Sequence, residues 1–186
     1  MSKLIFLILM CSALPLAAMP ARVFLIRHAE KPTEGGNSLS LKGRERAAAY
    51  VPFFLETAEL TSHGTPAAIY APTSSQQDES QRAVETVQGL ADKLKISINT
   101  KHARDSYKEM VDEIKADPTF KGKTVLICWD HTTIPEIARA FGALQTPARW
   151  PQDVYDRIWK LSFNTSGSRP MFQNTPQRLM YGDTSY

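Results

Sequence analysis

Val23-Phe24-Leu25-Ile26-Arg27-His28-Ala29-Glu30 is the stretch whose reading decides the fold. Four apolar residues run straight into an Arg-His pair and stop. The apolar part fits a short strand buried on both faces. Its polar end falls where the strand leaves the sheet. In open α/β sheets, ligands bind outside the carboxyl ends of the strands. Taken alone, the stretch equally fits a strand end capped by two solvated polar residues.

The chain has 186 residues, a length that suits one domain, read here as 22–186. Hydrophobic residues make up 42% and charged residues 22%, as in ordinary globular proteins. The formal charge of +3 and a pI of about 8.9 are mildly basic, without any Lys/Arg-rich run. Nucleic acid is therefore not expected as a partner, whereas a local site for a small anion is compatible with this balance. At the N-terminus, Lys3 precedes an apolar run over 4–10, and small residues occur over 13–18. This is the layout of a secretory signal peptide, 1–18, and predicts export to the periplasm or medium. The run is too short to span a bilayer, so no membrane span is expected after its removal. Cys11 follows Met10, where a lipoprotein needs a small residue, which favours a plain export signal. Cys128 would then be the single remaining cysteine, in an apolar run, with no intrachain disulfide. The four histidines are scattered, with no metal-ligand spacing, and no metal or cofactor is expected.

Downstream, a polar loop over 31–38 leads to Ser40, a fair N-cap for a helix with Tyr50, Val51 and Phe54 on its apolar face. Pro52 is expected to kink or divide that helix. Further strands are predicted at 67–71, 96–99, 124–129 and 157–163, with a returning edge strand at 169–173 after a turn at 164–167. Helices are predicted over 79–93 and 106–116, and another begins at Pro135 and ends near Gly142. Strands alternating with helices predict an α/β fold: a three-layer αβα sandwich with a mainly parallel sheet and helices on both faces.

Two predicted strands end alike, one in Arg27-His28 and the other in Trp129-Asp130-His131. Arg82, early in a helix that follows the second strand, can reach the same rim. Four segments then resemble the histidine phosphatase superfamily, which has the phosphoglycerate-mutase-like fold. Arg27-His28 resembles its Arg-His-Gly signature, with Ala29 in place of Gly. Leu39-Ser40-Leu41-Lys42-Gly43 resembles the start of its first helix. Ser80-x-Arg82-Ala83-x-x-Thr86 resembles its second arginine motif, and 125–131 its second histidine strand. The match covers about 22–142. The run 127–135 and the tail from Tyr155 to Asp183 are similar to a small Trp-acid-His subgroup.

The resemblance implies a phosphatase acting through phosphohistidine, and the residues permit that chemistry. A phosphate monoester is a dianion, and its transfer needs an in-line nucleophile and positive charge on the equatorial oxygens. Neutral His28 would attack phosphorus. Arg27 and Arg82 would grip phosphate oxygens by bidentate hydrogen bonds, and His131 would add charge. The leaving alkoxide needs an acid. Glu109 is the narrow preference, because the mutase-like branch carries its Glu after the third strand. Asp130, beside His131, is the second candidate, although successive residues of an extended strand point oppositely. Glu30 is a further candidate for orienting the Arg-His pair. His63 and His102 are read as solvated. A non-catalytic phosphate-binding protein and a phosphoglycerate-type mutase are the alternatives. The partner is a small phosphorylated substrate whose alcohol part the sequence leaves open, as it does the oligomeric state.

Overall fold

A computed structural model describes residues 19–74, 79–164 and 169–184. The expected signal segment, 1–18, and most of the turn expected at 164–167 lie outside the described residues. In chain order the elements are β1 (Arg22–Arg27), α1 (Leu41–Glu56), α2 (Ala58–Thr61), β2 (Pro66–Tyr70), α3 (Arg82–Leu94), β3 (Ile98–Asn99), α4 (Tyr107–Ala116), β4 (Thr124–Trp129), α5 (Ile134–Ala140), β5 (Arg157–Ser162) and β6 (Met171–Pro176). One sheet takes the order β3-β2-β4-β1-β5-β6. Strands β3, β2, β4 and β1 are parallel, while β5 and β6 continue the sheet as an antiparallel hairpin. The mainly parallel α/β sandwich expected from the sequence is thus present, with β6 at the edge.

Alternation along the central strands divides the core in two. Val23, Leu25, Val125 and Ile127 face Met110, Val111 and Ile114 of α4 and Ile134, Ile137 and Ala138 of α5. Phe24, Ile26, Leu126 and Cys128 face Tyr50 and Phe54 of α1, Leu60 of α2 and Val87, Leu90 and Ala91 of α3. Side chains of β1 and β4 are buried on both faces, so these strands read as unbroken apolar runs. Burying each such Val, Leu or Ile contributes about 1.5–3 kcal/mol.

Several local expectations shift. Helix α1 runs through Pro52, and the break comes later, at Thr57. Ala48 and Pro52 are both exposed, so the carbonyl that loses its helical donor can be hydrated. Helix α3 begins at Arg82, later than the predicted 79, and β3 is only two residues long. Among the described residues no helix is long and apolar enough to cross a membrane.

The start of α1 is held unusually close to the loop after β1. Ser40 caps the helix by accepting from the Gly43 N–H at 3.0 Å, and its own N–H donates to the Glu30 carbonyl at 2.9 Å. A Cβ on Gly43 would sit 2.4 Å from that same Glu30 oxygen. Gly43→Ala must therefore push two backbone segments apart, and is expected to cost about 1–3 kcal/mol in urea unfolding. A stability equal to that of the parent chain would show that the approach is not close.

Candidate active site

Adjacent parallel strands β1 and β4 bring two distant segments together, with Arg27 in register with Trp129. The His28 N–H donates to the Trp129 carbonyl at 2.9 Å, so the pairing extends one residue beyond β1. Past Trp129 the chain turns. Asp130 Oδ1 accepts from the N–H groups of Thr132 (2.9 Å) and Thr133 (3.1 Å) and from the Thr132 hydroxyl. Because of this turn, Asp130 and His131 both line one cavity of about 190 Å³, although they are successive. Arg82, the first residue of α3, lines the same cavity, and one of its Nη atoms donates to the Gly36 carbonyl. Arg27, His28, Lys31 and Arg104 complete the charged part of the wall.

His28 is 7% exposed. Its Nδ1 lies 2.7 Å from the Ala29 carbonyl, which can only accept, so Nδ1 carries the proton and Nε2 holds the lone pair. Burial pushes the His28 pKa down to about 4, helped by the Arg27 and Arg82 charges and opposed by the hydrogen bond to Ala29. The imidazole is therefore neutral at pH 7, the form in which it is a nucleophile. The Ala29 N–H donates to Thr86 Oγ1 at 2.8 Å, and that hydroxyl donates to the Arg82 carbonyl at 2.6 Å. One hydroxyl thus joins the loop carrying the histidine to the helix carrying the second arginine. Burial, with Arg27 and Lys31, also lowers the His131 pKa.

Arg27 is 1% exposed. One Nη1 hydrogen goes to the Gln152 carbonyl and another to the Val154 carbonyl at 3.1 Å, while Nη2 donates to Tyr155 Oη at 3.1 Å. The Tyr155 ring lies under the guanidinium, 3.8 Å from Cζ to centroid. Among the described residues, the buried side-chain polar atoms without a protein partner are Arg27 Nε, Arg82 Nε, Asp130 Oδ2, His131 Nδ1 and Thr146 Oγ1. All but the last belong to residues that line this cavity. Buried polar atoms are nearly always hydrogen-bonded, and a cluster of exceptions in one cavity calls for a specific cause. Two guanidinium N–H groups, an imidazole nitrogen and a carboxyl oxygen around a neutral His28 match the contacts of a small anion with exchangeable protons.

The molecule resembles several solved structures. The assigned phosphohistidine phosphatase SixA of Agrobacterium tumefaciens is 15% identical, with a TM-score of 0.51 over 84% of this chain and 97% of that one. The mycobacterial glucosyl-3-phosphoglycerate phosphatase Rv2419c is 14% identical, with a TM-score of 0.52 over 84% of this chain and 97% of that one. Phosphoglycerate mutase of Bacillus anthracis is 12% identical, with a TM-score of 0.51 over 87% of this chain and 94% of that one. The fold is the one these two phosphatases and this mutase share, the phosphoglycerate-mutase-like α/β fold. No family model and no curated protein matches the sequence itself.

On this fold, Arg27, His28, Arg82, Asp130 and His131 all line one cavity. Glu109 does not. It is exposed in the first turn of α4 and is absent from the cavity wall, because Met110, Val111 and Ile114 set the buried stripe of that helix. The Glu30 carboxylate pairs with Arg46, at 2.8 Å from Nη2. His63 is exposed, but His102 is buried, with Nε2 3.1 Å from Glu113 Oε2, and is not a solvated loop residue. The sequence reading missed the role of Arg46, which is 1% exposed and also donates to both Asp183 oxygens, at 2.9 and 2.7 Å. Its signal was periodic: Gly43, Arg46, Tyr50 and Phe54 form the buried face of α1, with an arginine at a core position.

The depressed His28 pKa fixes a pH dependence. An unfolded histidine protonates near its ordinary value of 6.5, whereas the folded one stays neutral down to about 4. Protonation thus favours the unfolded chain as pH falls from 6.5 to 4, and the stability lost over that window is about 3 kcal/mol. An NMR titration of the His28 ring is expected to give a midpoint near 4, with urea midpoints falling over the same interval. A midpoint near 6.5 would contradict the buried, neutral imidazole.

Proposed function

We propose that the chain is a metal-independent phosphate monoester hydrolase that works through a phosphohistidine on His28. The observation that carries this reading is the set of unpartnered buried atoms on four residues that line one cavity with His28, whose lone pair is held on Nε2. The charged wall holds four cationic side chains and one carboxylate, Asp130, which suits a dianion. A phosphoryl group bound there would meet preorganised positive charge from Arg27 and Arg82, the arrangement that stabilises charge on transferring oxygens.

Asp130 is the acid in this scheme. Its Oδ1 is occupied by the 130–133 turn, while Oδ2 is buried and unpartnered. In this scheme Asp130 enters the reaction as the neutral acid, with Oδ2 as the oxygen that carries the proton. The His28 Nε2 lone pair attacks phosphorus, and the bond to the ester oxygen breaks. The proton on Asp130 goes to the leaving alkoxide. Water then attacks the phosphohistidine and gives a proton back to Asp130, and the P–N bond breaks to release phosphate and neutral His28. The placement of Glu109 on the outside of α4 supports this assignment over the one preferred from sequence.

With an aryl phosphate and excess chelator, the parent chain is expected to turn over and His28→Ala to be inactive. Asp130→Asn is expected to slow alkyl phosphates by about 10²–10⁴ and aryl phosphates with good leaving groups far less, as for loss of a general acid. Phosphate binding without turnover of any monoester would instead make the chain a binding protein. Equal slowing of both ester classes would remove Asp130 as the acid.

A further inference from the structure

How Arg27 is aimed at a phosphate bears on the proposed phosphatase reading and is inferred on the basis of it. A guanidinium can meet a phosphate end-on, through both Nη atoms, or side-on, through Nε and one Nη. The end-on fork of Arg27 is spent. Both Nη1 hydrogens go to the carbonyls of Gln152 and Val154, and Nη2 also donates to Tyr155. The buried Nε has no partner. Arg82 also has a buried, unpartnered Nε, with one Nη1 hydrogen on the Gly36 carbonyl.

We propose that Tyr155 is a positioning residue that fixes Arg27 side-on, so that the Nε edge and not the Nη fork meets the phosphate. The Tyr155 ring supports the guanidinium plane at 3.8 Å, and the hydroxyl takes an Nη2 hydrogen at 3.1 Å. Ring and hydroxyl together set both the tilt of the plane and its rotation. The segment around Tyr155 is itself fixed, because the Val154 carbonyl also accepts from Trp150 Nε1 at 2.8 Å. Trp150 packs on Trp159 of β5, with ring centroids 5.1 Å apart. The irregular segment before β5 is therefore a rigid cradle for one arginine. The Tyr155 ring centroid lies 6.2 Å from that of His28, so the same side chain also flanks the nucleophile.

A double-mutant cycle tests this, read as the KM for an aryl phosphate and the inhibition constant of inorganic phosphate. Tyr155→Leu is expected to raise both about tenfold and Tyr155→Phe, which keeps the ring, about threefold, in line with cation–π and charged hydrogen-bond strengths. In an Arg27→Ala background, Tyr155→Leu is expected to add almost nothing. A lowered Tm with unchanged KM and inhibition constant would leave Tyr155 as packing only and overturn the proposal. Full effect of Tyr155→Leu in the Arg27→Ala background would also overturn it, since the residue would not act through Arg27. Should Tyr155→Leu not fold, Tyr155→Phe carries the test, and a parental inhibition constant overturns the proposal. Arg27→Ala with undiminished phosphate inhibition would remove the phosphate cage itself, a separate failure that takes this inference with it.

Discussion

Arg27 carries its charge at the end of a strand whose residues from Val23 to Ile26 are wholly buried, and that charge constrains what surrounds it. A desolvated guanidinium needs every donor met, or a counterion. The 152–155 segment takes three of the four Nη hydrogens through two carbonyls and a phenol, and leaves Nε. Burial lowers the Arg27 pKa, with Tyr155 and Asp153 opposing that effect. The same charge reaches its neighbours and helps to hold His28 and His131 neutral. The proposed phosphate would offset this concentration of positive charge from Arg27, Lys31, Arg82 and Arg104.

A second buried charge secures the frame. Arg46, on α1, pairs with Glu30 from the loop after β1 and with Asp183 from the C-terminal segment. Burial alone would lower the Arg46 pKa, but the hydrogen bonds that Arg46 donates to Asp183 and Glu30 more than reverse it, so the charge stays. The reciprocal effect appears at Asp183. Burial raises its pKa, and the Arg46 hydrogen bonds and charge hold it below the usual carboxylate range. Tyr50 and the Arg46 guanidinium meet at Gln177 Oε1, at 3.0 and 3.3 Å, which adds the chain after β6 to the same knot. The loop that bears His28 is thereby tied to α1 and to the C-terminal segment, as well as to α3 through Thr86.

The sequence displayed those features that depend on neighbours in the chain. Apolar runs that end in Arg27-His28 and Asp130-His131 announce both strand and rim, because strand polarity puts the carboxyl ends of parallel strands together. Arg82 was legible through its place just after a loop that leaves the same rim. Glu109 lies outside the cavity wall because only helical phase separates it from the buried Met110, and position after a strand says nothing about phase. The anchoring of Arg27 was illegible for another reason. Gln152 and Val154 act through carbonyls, which any residue has, and Tyr155 is 128 positions away. Asp130 reaches the cavity because the strand ends at Trp129 and the next residues turn, which alternation within a strand does not foresee.

The proposed reaction turns on a covalent bond between phosphorus and His28 Nε2. Rapid acid-free quenching of the chain during turnover of an aryl phosphate, followed by peptide mass spectrometry, tests it directly. A transient, acid-labile phosphoryl group is expected on the peptide that carries Arg27-His28, and none in His28→Ala or in the parent chain once substrate is exhausted. A phosphoryl group on any other residue, or steady turnover with none on His28, would contradict it.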